Sequence, residues 1–248
     1  MRKTSLVVVL LFASPLFAGT VYWYNGDSDG FATKINEVGG SSGNGLIYDD
    51  FIVGPGGVNI TGVFSNDLVL NIPASGADSN APGVVTQASW EIRSGVSAGS
   101  GGTLLDSGTD ATTQTATGLN SGGFAVYDIQ ITGLNVNLGP GTYWLAVAPD
   151  FGTSTSYNSY IVTTYGFNGV GTPKAQDGNS FWNDPGFGDD FVAAVTATGQ
   201  DSADGNNVDF SMGVDGVATT IPEPGTAALG AGALLLFGLA AAARRFQN

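Results

Sequence analysis

The 248-residue chain carries 21 acidic and 7 basic residues, no histidine and no cysteine, for a formal net charge of −14. Those absences exclude Ser-His-Asp and Cys-His catalysis, histidine-ligated zinc, imidazole acid–base work and disulfide bonds. Charged residues are only 11% of the chain and 39 glycines punctuate it, a mixture that favours short strands and turns over long amphipathic helices.

The N-terminus, MRKTSLVVVLLFASPLFAGT, has a positive start at Arg2 and Lys3, an apolar run over 6–17 and small residues at Ala18 and Gly19. The run is short for a membrane span and Pro15 interrupts it, so 1–18 is expected to be a secretory signal peptide.

Next comes NGDSDG. Asn25, Asp27 and Asp29 alternate and Gly30 follows, which matches the opening of a calcium loop in which short oxygen side chains converge. The twelfth loop position is Asn36, with Glu37 one later, and no amphipathic helix flanks the loop. An EF-hand is therefore not expected. Two readings stand: a Ca2+ site on Asn25, Asp27, Asp29 and Glu37, with Asp49 or Asp50 as alternative closing ligands, or a plain Asx/Gly turn.

Strand-like segments bounded by Gly, Asn, Asp, Ser or Pro follow at 21–24, 47–53, 60–64, 68–72, 89–93, 124–132, 142–148, 160–165, 191–198 and 208–214. In GTYWLAVAP, Tyr143, Leu145 and Val147 alternate with Trp144, Ala146 and Ala148, the period of a strand. The pattern predicts an all-β chain, a single antiparallel β-sandwich of jelly-roll type over 19–220.

Within it, TDATTQTATG is expected as an exposed Thr-rich loop or strip. The loop NSFWNDPGFGDDF offers Trp182 as a sugar-stacking ring, against the alternative that the ring is buried. DSADGNNVD, with Asp201, Asp204 and Asp209, reads as turn chemistry before a strand. A glycosidase needs two acids facing each other across a sugar, and the chain has only Glu37, Glu91 and Glu223 as glutamates. No base, nucleophile or metal triad accompanies them, so the chain is not expected to be an enzyme.

The chain closes on IPEPGTAALGAGALLLFGLAAAARRFQN. Residues 226–243 carry no charge, and at about 1.5 Å per residue they give about 27 Å of helix, close to a bilayer's hydrocarbon thickness. Arg244 and Arg245 would hold the far end on the cytoplasmic side, while Pro222 and Pro224 keep the preceding stretch extended. A single transmembrane helix is expected over this tail, 221–248. Without the two ends, the bases left are Lys34, Arg93 and Lys174, against all but one of the 21 acids. Such a body repels nucleic acid.

Pro222-Glu223-Pro224, the apolar run and Arg244-Arg245 together resemble the PEP-CTERM sorting signal of exported bacterial proteins. The same region is sometimes labelled the C-terminal domain of ice-binding proteins, a label for the tail alone. The stretches IYDDFIV, ITGVFSN and ASWEIRSGVSAGSGGTLLDSG are similar to uncharacterised exported β-sandwich proteins with this tail, over roughly 21–149. The resemblance implies the secretion machinery, the inner membrane and an exosortase-type processing enzyme as partners. It also implies a destination at the cell surface or among extracellular polysaccharide. The expected function is that of a structural, exopolysaccharide-associated protein; the alternative is a calcium-stabilised carbohydrate-binding module.

Overall fold

The computed structural model describes residues 20–71, 83–154, 156–174, 177–194 and 208–219. The segments 1–18 and 221–248, and with them Pro222, Glu223, Pro224, Arg244 and Arg245, lie outside the described residues.

The described chain is all-β and antiparallel. Its strands are β1 (Thr20–Tyr24), β2 (Ser28–Ile35), β3 (Glu37–Gly40), β4 (Gly43–Val53), β5 (Val58–Asn71), β6 (Gln87–Ser94) and β7 (Thr103–Ser121). They continue with β8 (Phe124–Leu138), β9 (Gly141–Pro149), β10 (Tyr157–Thr164), β11 (Phe181–Asp184), β12 (Asp189–Ala193), β13 (Asp209–Phe210) and β14 (Met212–Ala218). Hydrogen-bonded neighbours run β1-β14-β5-β8-β7-β6-β9-β4-β11-β12, and β10 extends this path by pairing β5, β2 and β13.

The path folds into two layers because β7 belongs to both. Its first half pairs β6, from Ser94↔Thr103 to Gln87↔Ala111. Its second half pairs β8, from Thr112↔Ile131 to Ser121↔Phe124. The Thr-rich stretch, expected as an exposed loop or a glycosylated strip, is part of the longest strand and is exposed along most of it. Thr suits a pleated backbone even where neither face is apolar, so β7 has no alternation to reveal it.

Side chains from both layers meet in one core, sandwich-fashion. Trp23, Phe51, Ile60, Ile92, Ile131, Leu145, Phe210 and Met212 are all fully buried in it. The alternation in β9 sends Leu145 and Val147 into this core, as expected for a strand. Its other face is also covered: Trp144 and Ala146 pack with Tyr48, Val96, Phe181 and Phe191. Phe181 and Phe191 come from the β11–β12 hairpin, which lies outside β4. The central strands are thus sealed on two sides, and β4 is buried along nearly its whole length.

Phe51 sits at the centre, with its ring 5.6 Å from Trp23 and 5.8 Å from Tyr143. Replacing it with alanine, Phe51→Ala, removes buried apolar surface and leaves a cavity that these rings cannot fill. We expect a loss of about 3–5 kcal/mol, seen as a fall in Tm of roughly 10 °C in thermal denaturation.

Candidate functional site

Asn25 directly follows β1, and its backbone N–H donates to the Met212 carbonyl at 3.0 Å. Gly26 follows at φ +124°, and a Cβ there would lie 2.7 Å from the Gly166 backbone. Only glycine turns the chain so tightly at this point. The turn directs Asn25 inward, where it is 1% exposed, and its Nδ2 donates to Asp49 Oδ2 at 2.8 Å.

The other expected calcium ligands go elsewhere. Asp27 accepts from the Tyr24 hydroxyl at 2.8 Å and from Asn168 Nδ2 at 2.7 Å. Asp29 accepts from Thr163 Oγ1 at 2.7 Å. Glu37 is buried at the β3–β4 turn and accepts from the backbone N–H groups of Ser42, at 2.8 Å, and Ser159, at 2.6 Å. Burial pushes its carboxyl above the usual range. Among the described residues no three acidic side chains form a group that could hold a metal as they stand. The four residues of the expected loop are thus not brought together: each is occupied by its own protein partners.

Of the two readings of Trp182, a displayed ring or a buried one, the structure shows the buried one. It is 5% exposed, packed in the main core with Lys34 Nζ 3.3 Å above its centroid and Phe187 against it at 6.4 Å. The exposed ring of that loop is Phe187, at 65%. Strand pairing explains the difference, since Trp182 stands opposite Ile47 and Val192 inside a three-strand ladder.

What Asn25 reaches instead is a group of aspartates around one edge of β4. Asp49 and Asp50 are consecutive and both buried, so they project to opposite faces of the strand. β11 pairs β4 only as far as Tyr48. Beyond it Thr172 borders the edge, its carbonyl accepting from Ile52 N–H at 2.7 Å, and the 177–180 segment lies nearby. That segment brings Asp177, and β13 brings Asp209. Phe210 N–H donates to Asp49 Oδ2 at 2.8 Å, and Asp177 N–H donates to Asp209 Oδ2 at 3.0 Å. Asp177 and Asn179 lie near the Asp50 carboxyl and act on its protonation, and Asn179 N–H donates to Asp177 Oδ1 at 3.1 Å. Asn179 in turn is tied to the second core, because its carbonyl accepts from Trp144 Nε1 at 3.0 Å.

Burial raises Asp49 well above the usual carboxylate range, and the Asp209, Asp50 and Asp177 charges push it further the same way. Asp50 is pushed up to about 7, first by burial and then by Asp177. The signal for this group was present in the sequence as the adjacent pair in IYDDFIV and as the Asp209 strand start. Nothing in the spacing shows that residues 25, 49, 177 and 209 meet.

A second buried carboxylate, Asp67, is fully satisfied. It accepts from Asn36 Nδ2 at 3.0 Å, Ser159 Oγ at 3.2 Å and Ser65 Oγ at 2.5 Å. Glu91 is held by Arg93, at 2.5 Å, and by the Tyr48 hydroxyl, at 2.8 Å.

Asp67 gives a pH prediction. Burial raises it from 3.8 to about 7. The folded state therefore binds more protons than the unfolded chain between those values, and stability is greatest below the unfolded pKa and is lost as pH rises to about 7. In a divalent-ion chelator, Asp67→Asn should lower the pH slope of unfolding free energy by on the order of 1.4 kcal/mol per pH unit over that window. Denaturant titrations at pH 4.5, 5.5 and 6.5 measure it; an unchanged slope would refute the assignment. No known family model, curated protein or solved structure matches the chain.

Proposed function

We infer that the chain is an exported structural protein of the cell envelope or extracellular matrix. A signal peptide over 1–18 delivers the acidic β-sandwich across the membrane. The 221–248 tail then spans the membrane until an exosortase-type enzyme processes it at Pro222-Glu223-Pro224. The observation that carries this reading is the order of features in the tail: a Pro-Glu-Pro segment, an uncharged stretch over 226–243, and Arg244-Arg245 at its end. The cations hold the C-terminus on the cytoplasmic side, so the rest of the chain lies outside.

The body supports a non-enzymatic role. Without histidine or cysteine, acid–base chemistry falls to carboxylates, and Glu91 is engaged by Arg93 and Tyr48. Association with polysaccharide is assigned to the groove of about 290 Å³ lined by Gln87, Asp150, Phe151 and Tyr157. There the Phe151 and Tyr157 rings stack at 5.4 Å. Ring faces beside hydrogen-bonding side chains suit a sugar, whose faces are apolar and whose rim is polar.

Intact-mass measurement and fractionation of the protein from its producing cells test the sorting. The expected product lacks 1–18, has lost or exchanged the tail, and lies in the envelope or medium. Arg244→Glu with Arg245→Glu should deplete it there. A full-length product in the cytosol would overturn the reading. Tyr157→Ala should weaken retention on the producer's own polysaccharide by about tenfold, the loss expected for one stacked ring in a shallow groove.

A further inference from the structure

At the opposite end of β9 from the Phe151–Tyr157 groove, β7 and β8 part. β7 pairs β8 only from Thr112↔Ile131 onward, and before that point it pairs β6. Among the described residues the end of β8, from Val136 to Leu138, is therefore paired with β5 alone. A groove of about 380 Å³ opens there, lined among others by Leu105, Asp106, Asn135, Asn137, Leu138 and Tyr143.

Its polar groups are set before any ligand arrives. Asn59 stands opposite Asn137 in the β5–β8 ladder. Its Nδ2 donates to Asn135 Oδ1 at 2.7 Å and to Asn137 Oδ1 at 3.0 Å. One amide thus orients two others, whose side chains are exposed and whose Nδ2 groups remain as donors. Asp106, also exposed, supplies an acceptor: its Oδ1 takes the Ser107 N–H at 2.9 Å, which leaves Oδ2. Tyr143 supplies a ring. Its hydroxyl donates to the Gly139 carbonyl at 2.9 Å, and Phe51 packs against it at 5.8 Å. Leu105, 45% exposed, adds apolar surface.

Fixed amide donors, a carboxylate acceptor and an aromatic ring match the hydroxyl rim and apolar face of a sugar. The carboxylate also selects among sugars. A uronate or sulfate group would meet Asp106 here, and Asp150 in the other groove, and like charges repel.

We propose that this groove is a second glycan subsite, and that the protein bridges two segments of a neutral polysaccharide. The inference rests on the reading of the Phe151–Tyr157 groove as the first subsite. β9 separates the two, with Tyr143 near its start and Phe151 just past its end. At about 3.3 Å per residue they lie roughly 25 Å apart. A short oligosaccharide in one groove leaves the other open, so a polymer is held at two points. Two modest sites on one body hold a polymer more firmly than either alone, which suits a structural protein of a matrix.

The test is an NMR titration of the isotope-labelled full chain in mild detergent. The probe is a set of short oligosaccharides cut from the neutral fraction of the producer's own extracellular polysaccharide. Amide signals should move in two places, around Asn135–Gly139 and around Phe151–Tyr157. Asn135→Ala with Asn137→Ala, at exposed strand positions, should weaken the first response by about tenfold and leave the second unchanged. Tyr157→Ala should do the reverse. Oligosaccharides from the uronate-bearing fraction should bind at least tenfold more weakly, and Asp106→Asn should reduce that difference at its own groove. Movement around Phe151–Tyr157 alone would overturn the second subsite and leave the first standing. Movement around Asn135–Gly139 alone would overturn the bridging and the first subsite together, as would no movement at either place. A response there that survives the double Asn variant would overturn the role of the amides, and equal binding of the uronate fraction would overturn the choice of neutral sugars.

Discussion

Asp49, Asp50 and Asp67 are buried, and the charges that principally act on them are those of other aspartates, so the fold must solvate negative charge mainly with neutral donors. Most of its polar interior follows from that constraint. Asp67 takes an amide and two hydroxyls, Glu37 takes two backbone N–H groups, and Asp49 takes an amide and two backbone N–H groups. Most of these donors lie on elements other than the acid's own: Asn25, Asn36, Ser42, Ser159 and Phe210. The carboxylates therefore act as pins: they fix where β1, β4, β10 and β13 lie relative to one another, because a carboxylate buried without donors is too costly to keep ionised.

The pins matter because the sheets supply few other fixed points. β7 is exposed on both faces along most of its length, and its register follows from its neighbours β6 and β8. The apolar contribution is concentrated in the strands between them. Leu145 and Val147 face one core and Trp144 and Ala146 the other. β4 and β9 are thus sandwiched, and a charge on either face of β4 is enclosed. Asp50 is raised because the β11–β12 hairpin and the 177–180 segment close over a face that would otherwise be wet.

The tail pattern and the folded body carry different kinds of information. The tail signal is linear and reads the same in any fold, whereas the polar interior exists only once the strands have assembled.

The residue pattern alone determined the fold class and most strand positions, because these depend on local period and on runs of like residues. Alternation in 142–148 marks β9, and the glycine-rich spacers mark turns. The same reasoning could not find β7, whose polar residues carry no period, nor could it tell that Trp182 is enclosed, since enclosure depends on which strands lie beside it. Asn25 and Asp49 were singled out from their local motifs. Their meeting, and the arrival of Asp177 and Asp209 beside them, was decided by tertiary structure: contacts between residues 24 to 161 positions apart are set by strand order and register, which no short-range pattern encodes.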